Sequence, residues 1–203
     1  MTQLYRQQMQ VKYKQRLFVS LSVAAHAKRK LAALQETLDS INSAQSIRWQ
    51  SQSHLHITVQ FLGNVPIDQI SILEQSLNQI AKSVPSINLG FNNVETVPAG
   101  TPARLLWVRV KATNDALENL IERSEHHLRR FGDNHEQRST APHITIGRRR
   151  VTGSPISLSP SPLGSCKWKV TSLDLIRSIT RKGTLDHMVI HRAPFNTLED
   201  IIT

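Results

Sequence analysis

Acidic residues, cysteine and long apolar runs are all scarce in this chain. Its 203 residues hold 15 Asp and Glu against 25 Lys and Arg, a formal net charge of +10. A surface of that sign attracts polyanions and speeds their encounter. The single cysteine, Cys166, excludes an intrachain disulfide and fits a reducing compartment. Its Ser165-Cys166-Lys167 setting offers no adjacent base, so Cys166 reads as a small structural residue rather than a nucleophile. No apolar run approaches the roughly 18 residues of a membrane-spanning helix. The opening 1–15 is polar, with Arg6, Lys12 and Lys14, and lacks the apolar stretch and small-residue cleavage site of a secretory signal. The expectation is a soluble, cytoplasmic protein with no membrane partner.

What is present is one pattern written twice. His54-Leu55-His56-Ile57-Thr58-Val59 and Pro142-His143-Ile144-Thr145-Ile146 each place a histidine and a threonine two residues apart in an apolar run. On a strand that spacing points both side chains to one face. His56 should project with Thr58, and His143 with Thr145. Leu55, Ile57, Val59, Ile144 and Ile146 should face the opposite way, into a core. The bare tripeptide is expected by chance in fewer than one copy among 9 histidines, so it says little alone. Its context says more. Both copies lie in β-branched runs bounded by turn formers, Gly63-Asn64 after the first, Ala141-Pro142 and Gly147 around the second. Two imidazoles, each beside a hydroxyl, supply a proton acceptor, a proton donor and hydrogen-bond donors for phosphate oxygens. Lys28-Arg29-Lys30 and Arg129-Arg130 read as solvated helix faces. Arg148, opening Arg148-Arg149-Arg150 five residues after His143, could grip a phosphate bidentately.

The periodicity predicts a first strand at 17–21, then a helix capped by Ser22 and running to Ile41 with Leu31, Leu34, Leu38 and Ile41 inward. A short extended piece at 47–49 precedes the first motif strand at 55–62. Pro66 suits the first turn of a helix with Ile70, Leu73, Leu77 and Ile80 on one face. Strands at 87–94 and 104–110 flank a turn region at 98–102. Asn114 caps a third helix with Leu117, Leu120, Ile121 and Leu128 inward, ended by Gly132. After a polar loop at 133–140 comes the second motif strand. A Ser-, Pro- and Gly-rich loop at 152–165 leads to closing strands at 168–179 and 185–191, separated by the basic turn 181–183. Hairpin-like pairs with helices on one side give an α+β arrangement of largely antiparallel sheets.

At these residues the chain resembles the two-histidine (2H) phosphoesterase superfamily, and within it the bacterial RNA 2′,3′-cyclic phosphodiesterases historically called 2′-5′ RNA ligases. Arg16-Leu17-Phe18-Val19 opens the core as in that family, and Ile47-Arg48-Trp49 stands at the expected distance before the first motif. His56-Ile57-Thr58-Val59-Gln60-Phe61-Leu62-Gly63 is similar to the family's His-x-Thr-Leu-x-Phe-Leu-Gly. Pro142-His143-Ile144-Thr145-Ile146-Gly147-Arg148 is similar to its Pro-His-x-Thr-Leu-x-Arg. Val59 and Ile146 replace the usual leucines and keep an apolar inward residue. The resemblance runs from about Arg16 to Phe195.

The resemblance implies a polar extension at 1–15 and one bilobal domain at 16–197, with two mainly antiparallel sheets facing a central cleft and helices outside. It implies hydrolysis of a 2′,3′-cyclic phosphate on RNA or a nucleotide to a 2′-phosphate, with ligation as a possible reverse reaction and no metal or other cofactor. His143 would be the proton acceptor and His56 the proton donor. Thr58, Thr145 and Arg148 would bind the phosphate, and a monomer is expected. A metal enzyme could use His54 with His56, His126 with His127 or His187 with His191, but none has carboxylates or cysteines at ligand spacing. His54 fits the cleft edge or a neutral place in the sheet. A non-catalytic nucleotide- or RNA-binding module in the same cleft is the main alternative, and turnover separates the two. A structural protein on an ordinary sheet would leave His56 and His143 far apart. Trp49, Trp107 and Trp168 could stack bases, although the apolar run 105–110 favours the core for Trp107.

Overall fold

The computed structural model describes residues 13–42, 47–98, 104–134, 141–150, 156–158, 163–181 and 184–196. Most of the polar extension and of the loops expected at 98–102, 133–140 and 152–165 lies outside them. In chain order the elements are β1 (Lys14–Ser22), α1 (Ala25–Ile41), β2 (Ile47–Trp49), β3 (His56–Pro66), α2 (Ile70–Lys82), β4 (Ile87–Val97) and β5 (Leu105–Ala112). They continue with α3 (Ala116–Leu128), β6 (His143–Arg149), β7 (Lys167–Val170), β8 (Ser172–Arg181) and β9 (Thr184–Pro194).

Two antiparallel wings meet at the motif strands. One is β7-β4-β5-β6, with β2 also on β6; the other is β3-β1-β8-β9. A single pairing, Ile57 with Ile144, joins them into one nine-stranded sheet. Two mainly antiparallel sheets were expected; the structure has one antiparallel sheet whose two wings meet at this seam. Leu55, Ile57, Val59, Ile144 and Ile146 are all buried on the core side, as alternation predicts. The helices cover that side: α1 packs on β6, α2 on β8 and β9, and α3 on β3 and β5. Leu31, Leu34 and Leu38 of α1, Leu73, Leu77 and Ile80 of α2, and Leu117, Leu120 and Leu128 of α3 form the buried stripes. Each fully buried Leu or Ile contributes about 1.5–3 kcal/mol.

Several boundaries differ from the periodicity. Ser22 ends β1, paired with His56, and α1 begins after Ala24. Ile41, at the last position of α1, is exposed. Pro66 closes β3, and a short 3-10 turn at Ile67–Gln69 intervenes before α2. Asp115 occupies the position before α3, while Asn114 Oδ1 accepts from the Ala116 amide at 3.3 Å. The closing strand expected at 168–179 is two strands on opposite wings, broken at Thr171.

Candidate active site

Both motif strands carry a bulge immediately after their threonine. Between β1 and β3 the register steps from Val19 opposite Gln60 to Ser20 opposite Thr58, which leaves Val59 as an extra residue. Between β5 and β6 it steps from Leu106 opposite Gly147 to Trp107 opposite Thr145, which leaves Ile146 extra. An extra residue inverts the in-and-out alternation beyond it. The residue five places after each histidine therefore returns to the histidine's own face. That residue is Phe61 on β3 and Arg148 on β6, and both line one cleft with His56, Thr58, His143 and Thr145.

The second bulge is held by a buried amide. Gln35 on α1 donates from Nε2 to the Ile146 carbonyl at 2.8 Å and to the Gln50 carbonyl at 2.8 Å. The Gln50 amide also donates to Ile146 O at 2.9 Å. The carbonyl of the bulged residue is thus satisfied, which a buried backbone group requires. On β3, a second register step leaves Leu62 extra beside Gly63, at φ +73°. The Leu62 carbonyl accepts from the Asp133 and Asn134 amides, and Asp133 in turn accepts from Asn64. The Phe-Leu-Gly segment thereby docks the 131–134 turn, whose Asn134 reaches the cleft.

The cleft encloses about 580 Å³. Antiparallel pairing about Ile57 and Ile144 sets His56 beside Thr145 and Thr58 beside His143. The two histidines share a local device as well. His56 Nδ1 lies 2.7 Å from the His54 carbonyl, and His143 Nδ1 lies 3.1 Å from the Ala141 carbonyl. A carbonyl only accepts, so each ring carries its proton on Nδ1 when neutral and leaves the Nε2 lone pair for proton transfer.

Their surroundings differ. His56 packs against Phe18 and His187, with ring centroids 4.9 and 5.3 Å away, and His54 stacks near His187 at 4.7 Å. Burial pushes the His56 pKa down to about 4; the His54 carbonyl bond opposes this, and His187, His54 and Lys28 add to it. Burial also lowers His187, with His54 adding to the shift and Asp186 opposing it. His143 instead lies on Trp107, and Arg109 approaches that indole with its guanidinium carbon 5.5 Å from the ring centroid. Arg109 pairs with Glu95 and donates to the same Ala141 carbonyl at 3.0 Å.

Every residue singled out as catalytic or phosphate-binding from the sequence lines this cleft. Periodicity did not single out Arg16, Phe18, Arg48, Trp49, Phe61 or His187, which line it too. No carboxylate is among the described lining residues. Among the described residues, no group of three or more His, Cys, Asp or Glu is arranged to hold a metal ion. Trp168 is buried against Phe91, and one face of Trp107 is taken by His143. Of the tryptophans, Trp49 alone reaches the cleft. No helix among the described residues is long and apolar enough to cross a membrane. Cys166 is buried.

Residues 21–107 match the model of the LigT like Phosphoesterase family, a span that includes the whole first motif. Over that span the chain is similar to the LigT-like phosphoesterases. Among LigT-like relatives, it is 29% identical over 133 residues to an RNA 2′,3′-cyclic phosphodiesterase of Methanocaldococcus jannaschii, covering 66% of this chain and 70% of that one. It is 28% identical to the enzyme of that name from Thermotoga maritima, over 66% and 69%. The LigT fold is seen in E. coli LigT complexed with 3′-AMP, with TM-score 0.76, 21% identity and coverage of 90% and 99%. TT0787 of Thermus thermophilus superposes with TM-score 0.76 at 18% identity, over 90% and 99%.

Proposed function

We propose that this protein hydrolyses the 2′,3′-cyclic phosphate of RNA ends or nucleotides to a 2′-phosphate, with the two His-x-Thr pairs as its machinery. The observation that carries this reading is the convergence of both pairs, side by side across one seam, on a single cleft with no carboxylate among its described lining residues. The relatives named above bear the same activity in their names.

His143 accepts a proton from the attacking water as its oxygen bonds to phosphorus. The P–O3′ bond breaks, and His56 protonates the departing 3′ oxygen. An in-line displacement needs base and acid on opposite sides of phosphorus, and one imidazole on each of two neighbouring strands suits that demand. The Thr58 and Thr145 hydroxyls donate to the non-bridging oxygens, and Arg148 adds a guanidinium. Positioned donors aimed at developing charge act strongly in a site shielded from water. His56 is neutral in the empty cleft at pH 7, and an anionic phosphate beside it favours its charged form. Substrate thus helps to load the acid.

The test is turnover of a dinucleotide ending in a 2′,3′-cyclic phosphate, with a chelator present. His56→Ala and His143→Ala should each lower kcat by roughly 10²- to 10⁴-fold. Thr58→Ala and Thr145→Ala should lower it by a smaller factor. Full activity in the double histidine variant, or its loss on chelation in the parent, refutes the proposal. Tight binding without turnover favours the nucleotide- or RNA-binding alternative.

A further inference from the structure

Arg48 stands directly opposite Arg148 on the β2–β6 ladder. Like charges directly opposite one another destabilise a sheet. Both side chains are exposed, both line the cleft, and neither makes an ion pair among the described residues. The strand that carries Arg48 is only three residues long, yet it is firmly held. Trp49 Nε1 donates to Asp39 at 2.8 Å, and the Trp49 ring lies against Gly147. A Cβ at position 147 would come within 2.9 Å of Ile47 and 3.0 Å of the Trp49 ring, so only glycine permits this approach.

A cross-strand pair of arginines with no ion-pair partner among the described residues is a cost that a bound anion offsets. Resting on the cyclic-phosphate reading, the reacting phosphate takes Thr58, Thr145 and Arg148. Arg48 lies one strand further out, on the side of Arg148 away from β5. We propose that Arg48 forms a second phosphate subsite, which binds the phosphodiester on the 5′ side of the terminal nucleotide. The cleft is therefore built for RNA ends of two or more nucleotides, rather than for cyclic mononucleotides.

The experiment compares wild type and Arg48→Gln on three substrates: a 2′,3′-cyclic mononucleotide, a trinucleotide with a 2′,3′-cyclic end, and that trinucleotide with a neutral methylphosphonate at its last internucleotide linkage. Thermal melting checks that the variant is folded. Wild type should prefer the trinucleotide to the mononucleotide in kcat/KM by about tenfold or more, the size of one charge-assisted hydrogen bond. Arg48→Gln should erase most of that preference. The methylphosphonate should cost wild type a similar factor, and variant and methylphosphonate together should cost no more than either alone. Additive effects, or an unchanged preference in Arg48→Gln, overturn the subsite. If wild type turns over no cyclic phosphate, the proposed reaction fails instead. The subsite is then decided by the affinity of a 3′-phosphorylated trinucleotide for the same two proteins, where non-additivity supports it and additivity overturns it.

Discussion

Trp107 lies flat on His143, with ring centroids 3.6 Å apart and 13° between the planes. The contact follows from the ladder, in which Trp107 faces Thr145 and Arg109 faces His143. His143 is thus fixed at two points, by the indole face and by the Ala141 carbonyl that it shares with Arg109.

Removing the indole should loosen the ring without removing the imidazole. An aromatic pair contributes about 0.5–1.5 kcal/mol beyond buried area, so Trp107→Leu should lower kcat by roughly three- to tenfold with little change in KM. Trp107→Phe, which keeps a flat ring in this buried place, should retain most of the rate. Steady-state kinetics on the cyclic dinucleotide, read beside melting curves, provide the check. A lowered melting temperature with unchanged kcat would assign Trp107 to the core alone.

Gln35 should matter to a residue it never touches. Gln35→Leu leaves the Ile146 carbonyl with the Gln50 amide alone and removes the bond to the Gln50 carbonyl, a loss of about 1–3 kcal/mol in stability. It also removes the amide that holds the bulge by which Arg148 faces the cleft. KM for the cyclic dinucleotide should rise by more in Gln35→Leu than in Leu34→Ala, a core substitution one position away on α1 that keeps the Gln35 bond to the Ile146 carbonyl. Equal KM in two variants of matched melting temperature would show the bulge to be secure without Gln35.

The alternation of β-strands is legible in the primary structure, and so are the two pairs it implies, His56 with Thr58 and His143 with Thr145. The three amphipathic helices and their buried stripes are legible for the same reason: burial of a helix face imposes a period that any apolar residue can satisfy. Arg148 is different. Five positions from His143, strict alternation turns it away from the cleft, and the bulge that turns it back has no local signature, because Ile146 is an ordinary strand residue. Its support arrives from Gln35, 111 positions away. His187 belongs to no motif and reaches His56 only because β9 follows β8 and β1 across the sheet. The division of 168–179 between two wings is likewise decided by pairing partners distant in sequence.

Acid should destabilise the fold over a defined interval. The unfolded chain binds a proton at His56 near pH 6.5, and the folded chain binds it only near pH 4. Protons therefore favour unfolding in that window. Stability that is complete above about pH 6.5 should fall by about 3 kcal/mol as the pH drops toward 4. His187, lowered in the same direction, adds to the loss. Urea unfolding at a series of pH values should show a shallower slope for His56→Gln than for the parent. Parallel slopes would mean that His56 titrates normally in the fold.

A bound anion should reverse that shift. Three of the influences on His56, its burial and the neighbouring His187 and His54, oppose a positive ring, and nothing acidic in the described lining offsets them. A phosphate placed between Thr58 and Thr145 supplies the missing negative charge within reach of the ring, and opposite charge at such range raises an imidazole pKa. Histidine ring resonances followed by NMR should therefore titrate at higher pH for His56 when inorganic phosphate is present. In Thr58→Ala the phosphate-induced rise should shrink, because the anion is held less closely. If phosphate leaves the His56 titration near pH 4, substrate does not load the acid. The donor role would then pass to His143, with His56, neutral and carrying its Nε2 lone pair, as the base.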